Sequence, residues 1–325
     1  AMLLGVIGTT TGMFWALQSR EAENQAKLAA MESATFAKQQ ATRASQERAK
    51  AEQQKSIAEE NATKEAKARR RAEAINTFVT NALQSSDPLQ AGKRDITIIE
   101  AMENAIREIA GGVFRDEPEI EADLQSIISD VLMNNFQYDQ VETLLKQSLQ
   151  TRTRVLGQDD PRLCDSLHGL AKLRLWQGKG EEARAFAERA VKLSSQLRDH
   201  NEIESLNLLA SSHQMEGNYE DAEKIFLRAM KIVDEEGLGR DHPKALTVML
   251  NLADCYQTQK KFTDANELLN LVIAAREALG QTDHISLWMA RSNRAAIFMG
   301  KGKVAEALPI FLEAQEFFES TLPGD

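Results

Sequence analysis

Cysteine is nearly missing: two in 325 residues exclude a disulfide framework. Cys164 and Cys255 read as thiols packed between helices. Proline is scarce at six, and between Gln18 and Ser85 there is neither proline nor glycine. No part of the chain reads as a run of strands. The elements that handle phosphate or activate a nucleophile are missing as well: there is no glycine-rich phosphate loop, no nucleophile elbow, no His-Glu-x-x-His, and no kinase His-Arg-Asp or Asp-Phe-Gly. These absences argue for a chain with no catalytic centre, no metal and no cofactor of its own, whose business is binding. Of its five histidines, His200, His242 and His284 recur near repeat junctions, which favours a helix-entry role over metal ligation. Charge gives a further exclusion. Residues 1–75 carry 12 Lys and Arg against 9 Asp and Glu, so the total of −10 leaves −13 for the remainder. An acidic domain of this size repels phosphate backbones and argues against nucleic acid as a partner. The basic cluster Lys64, Lys67, Arg69, Arg70 and Arg71 reads as a solvated face.

What is present is a repeated helical hairpin. Its copies include Gln177-Gly178-Lys179-Gly180-Glu181-Glu182-Ala183, Glu216-Gly217-Asn218-Tyr219-Glu220-Asp221-Ala222, Lys260-Lys261-Phe262-Thr263-Asp264-Ala265 and Gly302-Lys303-Val304-Ala305-Glu306-Ala307. A weaker copy ends at Val141. Anchors at Val141, Ala183, Ala222, Ala265 and Ala307 are spaced by 42, 39, 43 and 42 residues. Twelve residues before each stands Ser129, Ala171, Ala210, Ala253 or Ala295. Seven after stands Ser148, Ala190, Ala229, Val272 or Ala314. Small side chains at fixed points let paired helices approach closely, and a fixed period of this size is the mark of a solenoid. Leu156-Gly157-Gln158-Asp159-Asp160-Pro161, Leu238-Gly239-Arg240-Asp241-His242-Pro243 and Leu279-Gly280-Gln281-Thr282-Asp283-His284 link the copies: glycine ends one helix and proline suits the first turn of the next.

These hairpins and links resemble the tetratricopeptide repeat in its kinesin-light-chain-like, 42-residue form. The resemblance implies an all-α fold: a right-handed superhelix of stacked hairpins over residues 118–325, about five in number. Asn251-Leu252-Ala253 matches the first-helix core, while Ser211-Ser212-His213 and Lys172-Leu173-Arg174 depart from it. In such arrays first helices line a concave face that takes a peptide or partner helix. Fourteen residues before the anchors, with their neighbours three further on, stand Asn251 with Asp254, Asn293 with Ala296, Leu208 with Ser211 and Gly169 with Lys172. Asn207 lies one residue out of register with this stripe. In the family, asparagines here contact bound peptide. Hydrogen bonding between neighbouring helices is the other reading of the same residues.

Ahead of the repeats, Ala1 to Leu17 is uncharged and ends beside Phe14-Trp15. It reads as the end of a transmembrane helix, with a cleaved signal peptide as the alternative. Residues 18–85 read as one helix of about 100 Å. Alanines at 30, 37, 44, 51 and 58 keep a heptad, compatible with a coiled coil or with a solvated single helix. Ser86-Asp87-Pro88 is expected to end that helix, opening a linker and capping helix over 86–117, where Thr97 and Glu100 have capping-box spacing. The order of parts, with Ile75 to Gln84 and Asp87-Pro88, resembles the C-terminal region of membrane-anchored bacterial serine/threonine kinases. That implies a tethered sensor or docking module with its catalytic domain upstream. A stand-alone anchored scaffold and, last, an enzyme with an unrecognised site are the alternatives. Leu322-Pro323-Gly324-Asp325 falls where earlier copies place a link, so the native chain is expected to continue. An uncapped last hairpin or the coiled coil offers a route to self-association.

Overall fold

The computed structural model describes residues 2–84, 97–196 and 200–321; the side chains of residues 2–14, 16, 82–84 and 200 lie outside the description. So do the expected helix stop at Ser86-Asp87-Pro88 and the expected link at Leu322–Asp325. The chain divides into two compact units, Ala1–Glu73 and Ala74–Asp325.

The first unit consists of α1 (Met2–Gln84) up to residue 73. With strong helix formers throughout and nothing to break it, the segment is continuous. Every described side chain from Trp15 to Arg70 is exposed, and exposed pairs one turn apart, such as Lys27 with Glu23 and Lys64 with Glu60, support the surface. No helix among the described residues is long and apolar enough to cross a membrane.

The second unit begins with the last turns of α1, where the sequence turns amphipathic. Phe78 is buried and meets Phe114 edge to face at 5.3 Å. Next comes α2 (Ile98–Ala110), opened by the expected reciprocal cap: Thr97 Oγ1 accepts from the Glu100 backbone N–H, and the Thr97 N–H donates to the Glu100 carboxylate. Five hairpins follow: α3 (Pro118–Asn134) with α4 (Val141–Leu156), α5 (Cys164–Trp176) with α6 (Gly180–Ser194), α7 (His200–Met215) with α8 (Tyr219–Glu235), α9 (Pro243–Thr258) with α10 (Phe262–Ala278), and α11 (Ile285–Gly300) with α12 (Val304–Thr321).

The repeat's small residues explain the packing. All five anchors, all five residues twelve before them and all five residues seven after them are buried. Any larger side chain there would push the helices of a pair apart. Both cysteines are buried and in no disulfide, the Cys164 thiol donating to the Ala190 carbonyl. The link chemistry works as read. Asp160 Oδ1 accepts from Arg162 N–H ahead of α5, while His242 Nδ1 and His284 Nδ1 accept from the Lys244 and Ser286 N–H groups at the starts of α9 and α11. Two of the junction histidines are thus helix caps; the His200 side chain lies outside the described residues.

One demand of the repeat is not met by its sequence everywhere. Five residues before each anchor the backbone turns left-handed, at Phe136 (φ 59°), Gly178 (70°), Gly217 (82°), Lys260 (62°) and Gly302 (74°). Glycine takes this conformation freely; Phe136 and Lys260 take it at a cost.

Candidate functional site: the face of the first helices

Backbones of the first helices α3, α5, α7, α9 and α11 approach one another in succession, whereas among the described residues no second helix approaches the next second helix. The first helices therefore form the inner layer of the stack, and the stripe they share is its concave surface. Side-chain bonds run across that surface from hairpin to hairpin. Lys172 pairs with Glu204 at 3.0 Å, Asn251 Nδ2 donates to Asn207 Oδ1 at 2.9 Å, Gln214 Nε2 donates to Asp254 at 2.6 Å, and Gln257 Nε2 donates to the Asn293 carbonyl at 3.1 Å.

Each residue expected at the groove can now be placed. Asn207 is buried and serves as the acceptor for Asn251, so the two asparagines join adjacent first helices. Asp254 is exposed and tied to Gln214. Lys172 and Ser211 are half-buried. Asn293 is half-buried too, and among the described residues its side-chain amide has no hydrogen-bond partner. Of the asparagines named on the stripe, Asn293 is thus the one whose side-chain amide, among the described residues, is not engaged by a neighbouring helix.

Electrostatics mark the floor of the groove. Burial pushes the Asp130 carboxyl up although the residue faces water, against the pull of Lys172 and with help from Glu204 and Asp165. Burial also works against charge at Lys172 and Glu204, but there each outweighs it for the other: the Lys172 ammonium is raised, chiefly by Glu204 and Asp130, and Glu204 is held below the ordinary carboxylate range by Lys172 and His168. Glu204 and Asp130 were not among the residues expected. Their signal was available: Asp130 stands eleven before its anchor, as Lys172 and Asp254 do, and Glu204 stands one heptad earlier on the same stripe.

Behind this face the first hairpins are latched by ion pairs at the residue after each of the first three anchors. Glu142 takes a bidentate bond from Arg174, at 2.7 and 3.0 Å, Arg184 pairs with Glu216 at 3.0 Å, and Glu223 pairs with Lys261. The fifth copy has Leu308 at this position, and it is exposed.

Comparison with known proteins finds a family match over the first four hairpins. Residues 122–162, 162–235 and 201–278 match models of the tetratricopeptide repeat. Among solved structures, the chain is similar to BtubC (BKLC) from P. vanneervenii, at 22% identity over 71% of this chain and 96% of that one, with a TM-score of 0.54. It is also similar to nearly identical TPR-like repeats of a Podosopora anserina kinesin light chain, at 22% identity over 64% of this chain and 99% of that one, with a TM-score of 0.48. A human protein, the RRP5 homolog, is 30% identical over 131 residues, 40% of this chain; the match spans only 6% of that protein's length. Residues 122–278 thus match tetratricopeptide repeats, and the stack has the fold of such repeats.

Proposed function

We propose that the stack is a docking module that holds an extended peptide or a partner helix along its first-helix face, and that this module is carried at a membrane. The observation that carries the docking reading is the inner layer itself, a stripe of first helices bridged by polar side chains between Lys172 and Asn293 on which, among the described residues, the Asn293 amide has no partner. A backbone laid along such a surface needs donors and acceptors at intervals, and side-chain amides supply both. Tetratricopeptide repeats as a family bind proteins and peptides, and this chain adds no phosphate-binding or nucleophilic motif to that scaffold.

For the tether, the support is the uncharged run Ala1 to Leu17 followed at once by Gln18, Ser19, Arg20 and Glu21. For the wider context, the order of uncharged run, long helix and 42-residue repeats supports the sensor or docking part of a bacterial serine/threonine kinase, its catalytic domain upstream. A stand-alone anchored scaffold is the alternative, and the reading frame before Ala1 decides between them.

The groove is tested by one substitution. Asn293→Arg places a long cation on the inner face where no partner is lost. Titration of a display-selected peptide should show at least a tenfold loss of affinity, with the helical circular dichroism unchanged. Equal affinity for both forms would remove the groove from the account.

A further inference from the structure

Two arginines stand at one repeat position, eleven residues after the anchor: Arg152 at the end of α4 and Arg276 at the end of α10. Both are buried, at 2% and 5% exposure. Burying a guanidinium costs heavily unless a carboxylate shares the burial. Arg152 has that partner in its own hairpin: its Nη2 donates to Asp123 at 2.8 Å, with Asp165 of the next hairpin at 3.6 Å, and its Nη1 donates to Ser166 at 2.7 Å.

Transposing this network one by one onto the fourth hairpin empties it. Asp123 lies 29 residues before Arg152, and 29 before Arg276 stands Thr247. Asp165 and Ser166 become Met289 and Ala290. What remains to Arg276 is a neutral bond to the Gln281 amide oxygen, while its Nε is closed off from water without a partner. Among the described residues Arg276 has no ion pair, and burial pulls its guanidinium below its ordinary range. The same charge bears on His284, lowered first by burial and then by Arg276. Thr247 and Met289, which hold the repeat positions of Asp123 and Asp165, are both exposed.

We propose that Arg276 is a carboxylate receptor at the junction of the fourth and fifth hairpins, filled by an acidic side chain of the docked partner where Arg152 is filled by Asp123. This rests on the docking reading for the source of the carboxylate, but the receptor itself can be probed without a partner. The specificity it confers is for a peptide with an acidic residue one hairpin from the Asn293 amide.

The test uses acetate as the probe on the 325-residue chain, in buffers of equal ionic strength with sodium acetate or sodium chloride. Acetate should raise the melting temperature of the parent chain by roughly 2–4 °C more than chloride does. Thr247→Asp restores the partner found in the first hairpin. It should melt higher than the parent in chloride and show no such acetate gain, and Arg276→Met should also show none. In nuclear magnetic resonance titrations, both acetate and Thr247→Asp should bring His284 up toward its ordinary pKa. An equal acetate response in the parent and in Thr247→Asp, or no response in the parent, would overturn the receptor. Should Arg276→Met fail to fold, Thr247→Asp and the His284 titration still decide. If peptide binds the groove while acetate has no effect, the receptor falls and the docking reading stands; an acetate effect lost in Thr247→Asp supports the receptor even where no groove peptide is found.

Discussion

At the scale of the residue, the two asparagines that look equivalent in sequence have different work. Asn251 is spent on Asn207, whose buried oxygen would lose its donor in Asn251→Ala; chemical denaturation should show a loss of about 1 kcal/mol. Asn293→Ala should cost less than about 0.5 kcal/mol and still weaken partner binding. A larger stability loss at Asn293 than at Asn251 would reverse this assignment. A second residue-scale outcome concerns Glu142, held down from 4.5 to about 2, first by its hydrogen bonds from Arg174 and then by Lys146. A carboxylate depressed on folding stabilises above its ordinary value, and that contribution is lost as pH falls through the folded one. Between pH 4.5 and about 2 the parent chain should therefore lose more stability than Glu142→Gln, read as the shift in urea midpoint. Parallel pH profiles would show that the latch between the first two hairpins contributes nothing. Such pairings were not legible in advance. The stripe fourteen before the anchor could be counted off, but whether an amide points to a neighbour or to the groove is settled by rotamers on helices 44 residues apart in sequence, as with Asn251 and Asn207.

The element scale was the most legible, because its rules are local or strictly periodic. The Thr97–Glu100 cap, the helix-entry role of His242 and His284 and the fifteen small packing positions all follow from spacing, and all are seen. What spacing hid is the left-handed turn of the hairpin. Three copies announce it with glycine, but Phe136 and Lys260 adopt it without one. A side chain in this conformation costs about 1–2 kcal/mol, partly offset in a glycine replacement by about 0.5–1 kcal/mol of extra unfolded-state entropy. Lys260 is exposed, so Lys260→Gly should raise stability by up to about 1 kcal/mol. Phe136→Gly should gain less, since Phe136 meets Trp176 edge to face at 6.0 Å. A Lys260→Gly chain less stable than its parent in urea would contradict this view of the turn.

At the scale of the whole molecule, the stack joins five hairpins by one recurring interface, and its last second helix presents a different surface. Val304, Leu308 and Leu312 of α12 are each more than half exposed, and Leu308 stands where three earlier copies carry a charged latch. We expect this face to pair with a second copy. Light scattering should report dimer at high concentration and monomer after Leu308→Glu with Leu312→Lys; a parent chain monomeric throughout would remove that expectation. The central claim concerns the opposite surface, the inner layer where first helices meet. Hydrogen exchange with and without a display-selected peptide tests it most directly. The account predicts slowed exchange along α7, α9 and α11, strongest around Asn293. Protection confined to the second helices or to α1, with the first helices unchanged, would contradict it.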